Sequence, residues 1–119
     1  MKTWLVLTLL VLPIGEVYAS DKYDGFSFYL GEEIYQTCRS KDDNSRQACA
    51  AYVCGAMDAW SADYILNRRK TYSICLPVGT TCRQLADVTL KYLEENPGQR
   101  STAASGLVGM ALKQAFPCK

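Results

Sequence analysis

The chain contains no histidine, and this absence restricts its chemistry more than any other feature of its composition. Histidine is the commonest general base in enzymes and a member of the Ser–His–Asp and Cys–His nucleophilic sites. It is also required for haem attachment through C-x-x-C-H and for many zinc sites, and the six cysteines include no C-x-x-C pair. We therefore expect no enzymatic activity, no metal and no cofactor.

Net charge is also nearly absent. Thirteen basic residues face twelve acidic ones, which leaves a formal charge of +1. Such a balance provides no electrostatic attraction to nucleic acid or to anionic membranes. The longest apolar run, Trp4–Leu12, is far shorter than the roughly 20 residues of a transmembrane helix. We therefore expect neither nucleic acid nor a membrane as a partner.

Residues 1–19 have the organisation of a cleaved export signal. Lys2 provides the positive start, the apolar run follows, and a Val-Tyr-Ala tripeptide ends at Ala19. This order predicts cleavage after Ala19, because signal peptidases require small residues at that point. The expected mature protein is residues 20–119, which is enough chain for a single exported domain.

Helical periodicity runs through most of the remaining chain, and no useful length of sequence alternates as a strand does. The longest periodic stretch is Ser45–Lys70, where apolar residues recur every three or four positions. Its predicted core face consists of Ala48, Cys49, Tyr52, Val53, Ala56, Met57, Trp60 and Tyr64. The predicted helices cover residues 30–40, 45 to about 67, 81–95 and about 97–115. The fold is therefore predicted to be all-α, a small bundle of about four helices.

Capping patterns indicate where these helices begin. Thr81, followed three residues later by Gln84, matches a capping box. Asn44 or Ser45 is expected to cap the long helix, since both are good N-cap residues. Residues 71–80 contain proline, glycine and a cysteine, and we expect them to form a loop that is pinned to the body of the domain.

All six cysteines follow residue 19, and an even number in an exported chain predicts a disulfide framework. Sequence alone cannot choose the pairing, but geometry ranks the options. Cys38 and Cys49 flank a short connection between helices, so a bond between them is easy to form. Cys75 in a loop can reach Cys118 near the terminus, and this bond would close a much longer loop.

Cys54 and Cys82 remain after these two pairs. Cys54 lies five residues after Cys49, about 140° around the same helix, so the two side chains diverge and a bond between them is disfavoured. A bond between Cys54 and Cys82 would join the long helix to the start of the next one. The alternative is that both stay as buried free thiols.

Several short motifs follow one another in a particular order. They are YVCGAMDA at 52–59, CLPVGT at 75–80, QLADV at 84–88, KYL at 91–93 and AFPC at 115–118. Together with two cysteines eleven positions apart, this series resembles the Rap/Tai family of periplasmic immunity proteins over nearly all of residues 20–119. The family's four usual cysteines match Cys38, Cys49, Cys75 and Cys118. Cys54 and Cys82 are additions to that pattern.

The resemblance implies a small, disulfide-stapled helical protein of the periplasm that can form homodimers. It implies one main partner, a cognate effector of type VI secretion. In this family the effector is a cysteine amidase that cuts peptide cross-links in peptidoglycan, and the immunity protein occludes its active-site cleft without catalysis. The alternative function is a small disulfide-bonded stress or chaperone-like binding protein of the periplasm, which would expose apolar surface when conditions change.

The candidate effector-binding residues are Asp58, Arg68, Arg69 and Tyr72. The last three lie in the basic, aromatic segment after the long helix, and interface hot spots favour arginine and tyrosine. A solvated helix end is the other interpretation of this basic run. Asp58 lies off the predicted core face. It could meet a partner, or it could hydrogen-bond a neighbouring loop or helix end, and its place in a family motif favours the second role.

Overall fold

The computed structural model describes residues 27–67 and 73–119, so the predicted export signal at 1–19 lies outside the described residues. The described chain forms helices α1 (Gly31–Arg39), α2 (Asp43–Leu66), α3 (Cys82–Glu95) and α4 (Ala104–Ala115), with a 3-10 turn at Pro97–Gln99. Apart from two isolated β-bridges, no strand pairing occurs in these ranges. The all-α fold with about four helices is confirmed.

Helix α2 is the central element and packs against the other three helices. Its buried residues recur at three- and four-residue steps, and they are Cys49, Ala50, Val53, Ala56 and Met57. Opposite them, Leu93 of α3 and Val108 and Leu112 of α4 are fully buried. Burial of these apolar side chains is the main favourable contribution to folding. None of the helices in the described ranges has both the length and the apolar character needed to cross a membrane.

Two residues of the predicted α2 core face lie at the surface instead. Ala48 is exposed because it lies about 80° outside the arc that the buried residues of α2 occupy. Trp60 is 42% exposed, because it covers the side of α4 without entering the core. The 24 residues of α2 span about 36 Å, twice the length of the 12-residue α4. The exposure of Trp60 was not predictable from periodicity, because it depends on where α4 lies against α2.

The helix starts follow local hydrogen bonding. The predicted capping box of α3 is confirmed, since Gln84 N donates to Thr81 Oγ1 at 3.2 Å and Thr81 N donates to Gln84 Oε1 at 2.8 Å. The predicted cap of α2 at Asn44 or Ser45 is wrong. The cap is Asp42, whose Oδ2 accepts from Ser45 N at 2.9 Å and from Ser45 Oγ at 3.0 Å. These hydrogen bonds lower the pKa of Asp42, because they stabilise its charged form.

The predicted last helix over about 97–115 ends at Ala115 as expected, but its predicted start is wrong, because the backbone is interrupted before residue 104. The interruption is held by an extended contact with the start of α1. Gly31 N donates to Thr102 O at 2.9 Å, Glu32 N donates to Arg100 O at 2.7 Å and Ala104 N donates to Tyr29 O at 2.9 Å. Two of the carbonyls at the interruption therefore bond to α1 instead of continuing a helix.

Arg100 connects the segment before α4 to helices α1 and α3. Its Nε donates to Leu93 O at 2.7 Å, and its guanidinium lies 3.5 Å from the centre of the Tyr35 ring. Glu32 lies 3.8 Å from the same guanidinium. The close approach also needs Gly31, since a Cβ there would lie 2.3 Å from the Leu107 side chain. One arginine thus joins α1, α3 and the segment before α4.

Three disulfide bonds connect the elements. The pairs are Cys38–Cys49, Cys54–Cys82 and Cys75–Cys118. They are the pairs that the spacing of the cysteines favours. No free cysteine remains, so Cys54 and Cys82 are not a pair of buried thiols. The first bond joins α1 to α2, the second joins the middle of α2 to the first residue of α3, and the third ties the loop before α3 to the C-terminus.

Candidate functional site

Exposed large apolar side chains mark the surfaces on which a binding protein can meet a partner. Within the described ranges they are Phe28, Tyr29, Trp60, Ile65, Leu66, Val78 and Met110. Phe28 and Tyr29 precede α1, Trp60 lies where α2 meets α4, Ile65 and Leu66 are in the last turn of α2, Val78 is in the turn before α3, and Met110 is on α4 beside Tyr92 of α3. The aromatic side chains near α2 and α4 differ from Val78 in how they are held.

The aromatic side chains between α2 and α4 take part in holding the helices together. Trp60 Nε1 donates to Ser105 O at 3.3 Å, and a Cβ at Gly109 would lie only 2.3 Å from the indole ring. Tyr52 meets the Tyr29 ring edge-on, with 5.5 Å between ring centres. Burial raises the pKa of Tyr52, and a hydrogen bond with the Ser105 side chain offsets part of that rise. These rings are partly exposed but already have structural partners.

The turn before α3 has the opposite character. Val78 is fully exposed, with 106% of its reference area accessible, and its neighbours Pro77 and Gly79 are exposed too. Thr80 N donates to Pro77 O at 3.2 Å, and Thr80 Oγ1 donates to the same carbonyl at 2.7 Å. Gly79 has φ +90°, the conformation that a type II turn requires at its third residue. The turn is therefore well formed, while the Val78 side chain at its tip is exposed to solvent.

Anchors lie on both sides of this turn. Upstream, Ile74 is buried, and Cys75 N donates to Phe116 O at 2.8 Å beside the Cys75–Cys118 disulfide. Downstream, the Thr81 capping box begins α3 directly after Thr80. An open groove of about 330 Å³ runs beside the turn, and it is lined by Pro77, Val78, Gly79, Thr80, Gln84 and Phe116. The predicted pinning of this loop is confirmed for its described part.

Of the four candidate effector-binding residues, the structure describes one. Asp58 is exposed on α2, and within 27–67 and 73–119 its carboxylate has no hydrogen bond or ion pair. The alternative in which Asp58 holds a neighbouring loop therefore has no contact to support it among these residues. Arg68, Arg69 and Tyr72 lie outside the described residues. Asp58 lies about 13 Å along the helix axis from the C-cap Asn67.

Val78 was not among the residues singled out from the sequence. A usable signal was present, because Pro77 and Gly79 flank it in the pattern of a tight turn, and the residue between them faces outward. The degree of exposure could not be predicted, since it depends on how far the turn stands away from α3 and the C-terminus. Across the described ranges, no group of three or more cysteine or acidic side chains is placed to hold a metal ion.

The family model of the Rap1a immunity proteins matches residues 30–118, a range that includes all four helices and all six cysteines. Comparisons with curated proteins and with solved structures give no match. The family match agrees with the resemblance drawn from the order of the motifs. Three disulfides and the family together indicate a protein that works outside the cytoplasm and binds a cognate effector. The chain belongs to the family of Rap1a immunity proteins.

Proposed function

We propose that this chain is a periplasmic immunity protein that binds a peptidoglycan amidase of type VI secretion and occludes its active site. The observation that carries the proposal is the family match over residues 30–118. Immunity of this kind is inhibition by binding and requires no catalytic group. This role agrees with a chain that contains no histidine, the commonest general base of enzymes.

The disulfide framework supports the location and the mode of action. Disulfides persist in the oxidising periplasm, and the predicted export signal at residues 1–19 would direct the chain there. Three disulfide bonds across a small domain restrict its conformational freedom before binding. Because less conformational entropy is then lost on binding, such a preorganised inhibitor binds more tightly. The protein therefore acts as a rigid inhibitor that covers the active site of the effector. A homodimer would present two copies of its binding surface.

Asp58, Arg68, Arg69 and Tyr72 are the effector contacts in this proposal. The exposed carboxylate of Asp58, without a partner in the described ranges, is free to meet a cationic group of the effector. The arginines and tyrosine belong to the residue types that most often contribute strongly to interface affinity. We expect Asp58→Asn and the pair Arg68→Ala with Arg69→Ala each to weaken the complex.

The direct test uses residues 20–119, exported to the periplasm and purified, with the type VI amidase encoded beside the gene. Cleavage of peptide cross-links in purified peptidoglycan is followed by chromatography of the released fragments. We expect complete inhibition near equimolar concentrations and a dissociation constant in or below the nanomolar range, as for other occluding inhibitors of hydrolases. An amidase effector from an unrelated immunity pair provides the control and should stay active.

Absence of binding and of inhibition would contradict the proposal. The chaperone-like alternative predicts a different result in a parallel assay. In that case the chain would suppress aggregation of a chemically unfolded protein while leaving the amidase active. An immunity protein should show the reverse pattern.

A further inference from the structure

The three disulfide bonds differ in how far solvent reaches their cysteines. Cys38 and Cys49 are only 8% and 1% exposed, so their bond lies inside the bundle. Cys82 is exposed and Cys54 is half-buried, and their bond lies where the middle of α2 meets the start of α3. Thiol–disulfide exchange begins when a thiolate attacks a sulfur atom, so its rate depends on access to that atom. A reductant can therefore reach the Cys54–Cys82 bond, whereas the Cys38–Cys49 bond is shielded.

The surroundings of Cys82 also favour the negative charge that reduction produces. Cys82 is the first residue of α3, where the backbone N–H groups and the positive end of the helix stabilise an anion. Arg83 follows in the same turn and is exposed. A cysteine in such a position leaves more readily as a thiolate. Cys54 lies inside α2, one turn before the exposed carboxylate of Asp58, which disfavours a thiolate there.

The Cys75–Cys118 bond is the closest competitor in terms of access, because Cys75 is exposed and Cys118 is half-buried. Neither cysteine lies in a helix, so no helix end stabilises a thiolate on either sulfur atom. Access alone therefore leaves two candidate bonds. Only Cys54–Cys82 combines access with a stabilised leaving group.

We propose that the Cys54–Cys82 bond is a redox-sensitive element, which a dithiol reductant opens while the other two disulfides and the helical bundle stay intact. One thiolate of the reductant attacks Cys54 Sγ and forms a mixed disulfide, and the electron pair of the broken S–S bond passes to Cys82 Sγ. The second thiol of the reductant attacks its partner sulfur in the mixed disulfide and releases Cys54. The reductant ends as a disulfide, and the protein gains the two electrons and two protons that the reductant loses.

Opening this bond releases the start of α3 from α2 without removing the packing between the two helices. Leu85, Ala86 and Leu93 of α3 stay buried in the common core, and the capping box still begins the helix. The resemblance to the family implies that Cys54 and Cys82 are additions to the four usual cysteines. Reduction of this bond therefore lowers the stability of the bundle and leaves it folded. The inference is independent of the proposed function.

The kinetics of reduction test the proposal on the folded, oxidised chain of residues 20–119. The protein is treated with dithiothreitol, new thiols are alkylated at successive times, and mass spectrometry assigns the label to individual cysteines. We expect Cys54 and Cys82 to be labelled about tenfold faster than either other pair. With the monothiol glutathione, the first adduct should form on Cys54. The selectively alkylated protein should keep its helical circular dichroism and melt at a lower temperature than the oxidised protein.

Arg83→Gln and Lys91→Gln are a matched pair, since each removes one positive charge from an exposed position of α3. Arg83 is next to Cys82, whereas Lys91 lies about 13 Å along the helix from Cys82, where salt screens its charge. Opening of the Cys54–Cys82 bond should slow by about threefold in Arg83→Gln and keep the wild-type rate in Lys91→Gln. Earlier labelling of another pair, an unaltered rate in Arg83→Gln, or loss of helical structure when the bond opens would overturn the proposal.

Discussion

At the scale of single residues, two threonines in helices show how a hydroxyl group can be satisfied or left without a partner. Thr37 Oγ1 in α1 donates to Glu33 O at 2.9 Å, the usual bond of a helical threonine to the preceding turn. Thr89 in α3 is completely buried, and among the described residues its Oγ1 alone is a buried side-chain polar atom without a hydrogen bond. A desolvated hydroxyl without a partner lowers stability.

We therefore expect Thr89→Val to raise the free energy of unfolding by about 1 kcal/mol, since it keeps the shape of the side chain and removes the unpaired hydroxyl. Urea unfolding followed by circular dichroism measures the change. Thr37→Val is the control, because it removes a hydrogen bond that is made, and it should not stabilise the protein. A less stable Thr89→Val variant would show that the hydroxyl has a partner in solution.

At the scale of elements, the contact between α2 and α4 depends on a glycine. Gly109 lets the Trp60 ring lie directly on the α4 backbone, where a Cβ would come within 2.3 Å of it. The indole N–H then reaches Ser105 O one turn earlier on α4. Gly106 in the same helix has nothing within 4 Å of the corresponding position. The two glycines therefore have different roles although only three residues separate them.

Gly109→Ala should displace the Trp60 ring and break its hydrogen bond to Ser105. Overpacking then outweighs the gain in helix propensity, and the free energy of unfolding should fall by about 1 kcal/mol. The two tryptophans of the chain are Trp4 and Trp60, so fluorescence of residues 20–119 reports on Trp60 alone. Its emission should shift to longer wavelength as the ring becomes more exposed.

Gly106→Ala is the control for this experiment. It adds the same methyl group to α4 in open space, so it should raise the free energy of unfolding by about 0.5–1 kcal/mol through helix propensity. Its fluorescence should equal that of the wild type. Equal changes in stability and in emission wavelength for both variants would argue against specific packing of Trp60 on Gly109.

At the scale of the whole molecule, the three disulfides stabilise different contacts of the bundle. The Cys38–Cys49 bond is buried and reinforces a contact that the short turn between α1 and α2 already favours. The Cys54–Cys82 bond joins residues 28 positions apart and fixes the start of α3 on α2. The resemblance of the sequence to the family implies that this bond is an addition to the four usual cysteines, so we expect the bundle to form without it.

The double variant Cys54→Ser with Cys82→Ser should fold, because α2 and α3 still share their apolar contact. It should lose about 3–4 kcal/mol of stability, the loop-closure entropy of a 28-residue separation. Urea unfolding provides the value, and helical circular dichroism should equal that of the wild type. Denatured wild-type protein from the periplasm should show no free thiol, and two thiols per chain would contradict the Cys54–Cys82 bond.

Several features of the fold could be predicted from local sequence because local physics controls them. The 3.6-residue period places Val53, Ala56 and Met57 on one face of α2, and the Thr81 capping box depends on residues within one turn. The spacing of the cysteines ranked the three observed pairs first, with two free thiols at Cys54 and Cys82 as the alternative. The family followed from the order of short motifs, and with it the expectation of an effector.

Tertiary structure decided the features that depend on distant residues. The interruption before α4 exists because backbone groups at residues 29–32 form hydrogen bonds with it. Trp60 lies at the surface because its ring packs on Gly109 and its indole N–H donates to Ser105 O. Val78 stands clear of the body because Phe116 and the Cys75–Cys118 bond hold its turn in place. Sequence by itself determined that the chain is helical, the cap of α3 and the ranking of the cysteine pairs, since these arise from neighbouring residues and spacing. The packing of separated segments decided which side chains remain exposed for a partner.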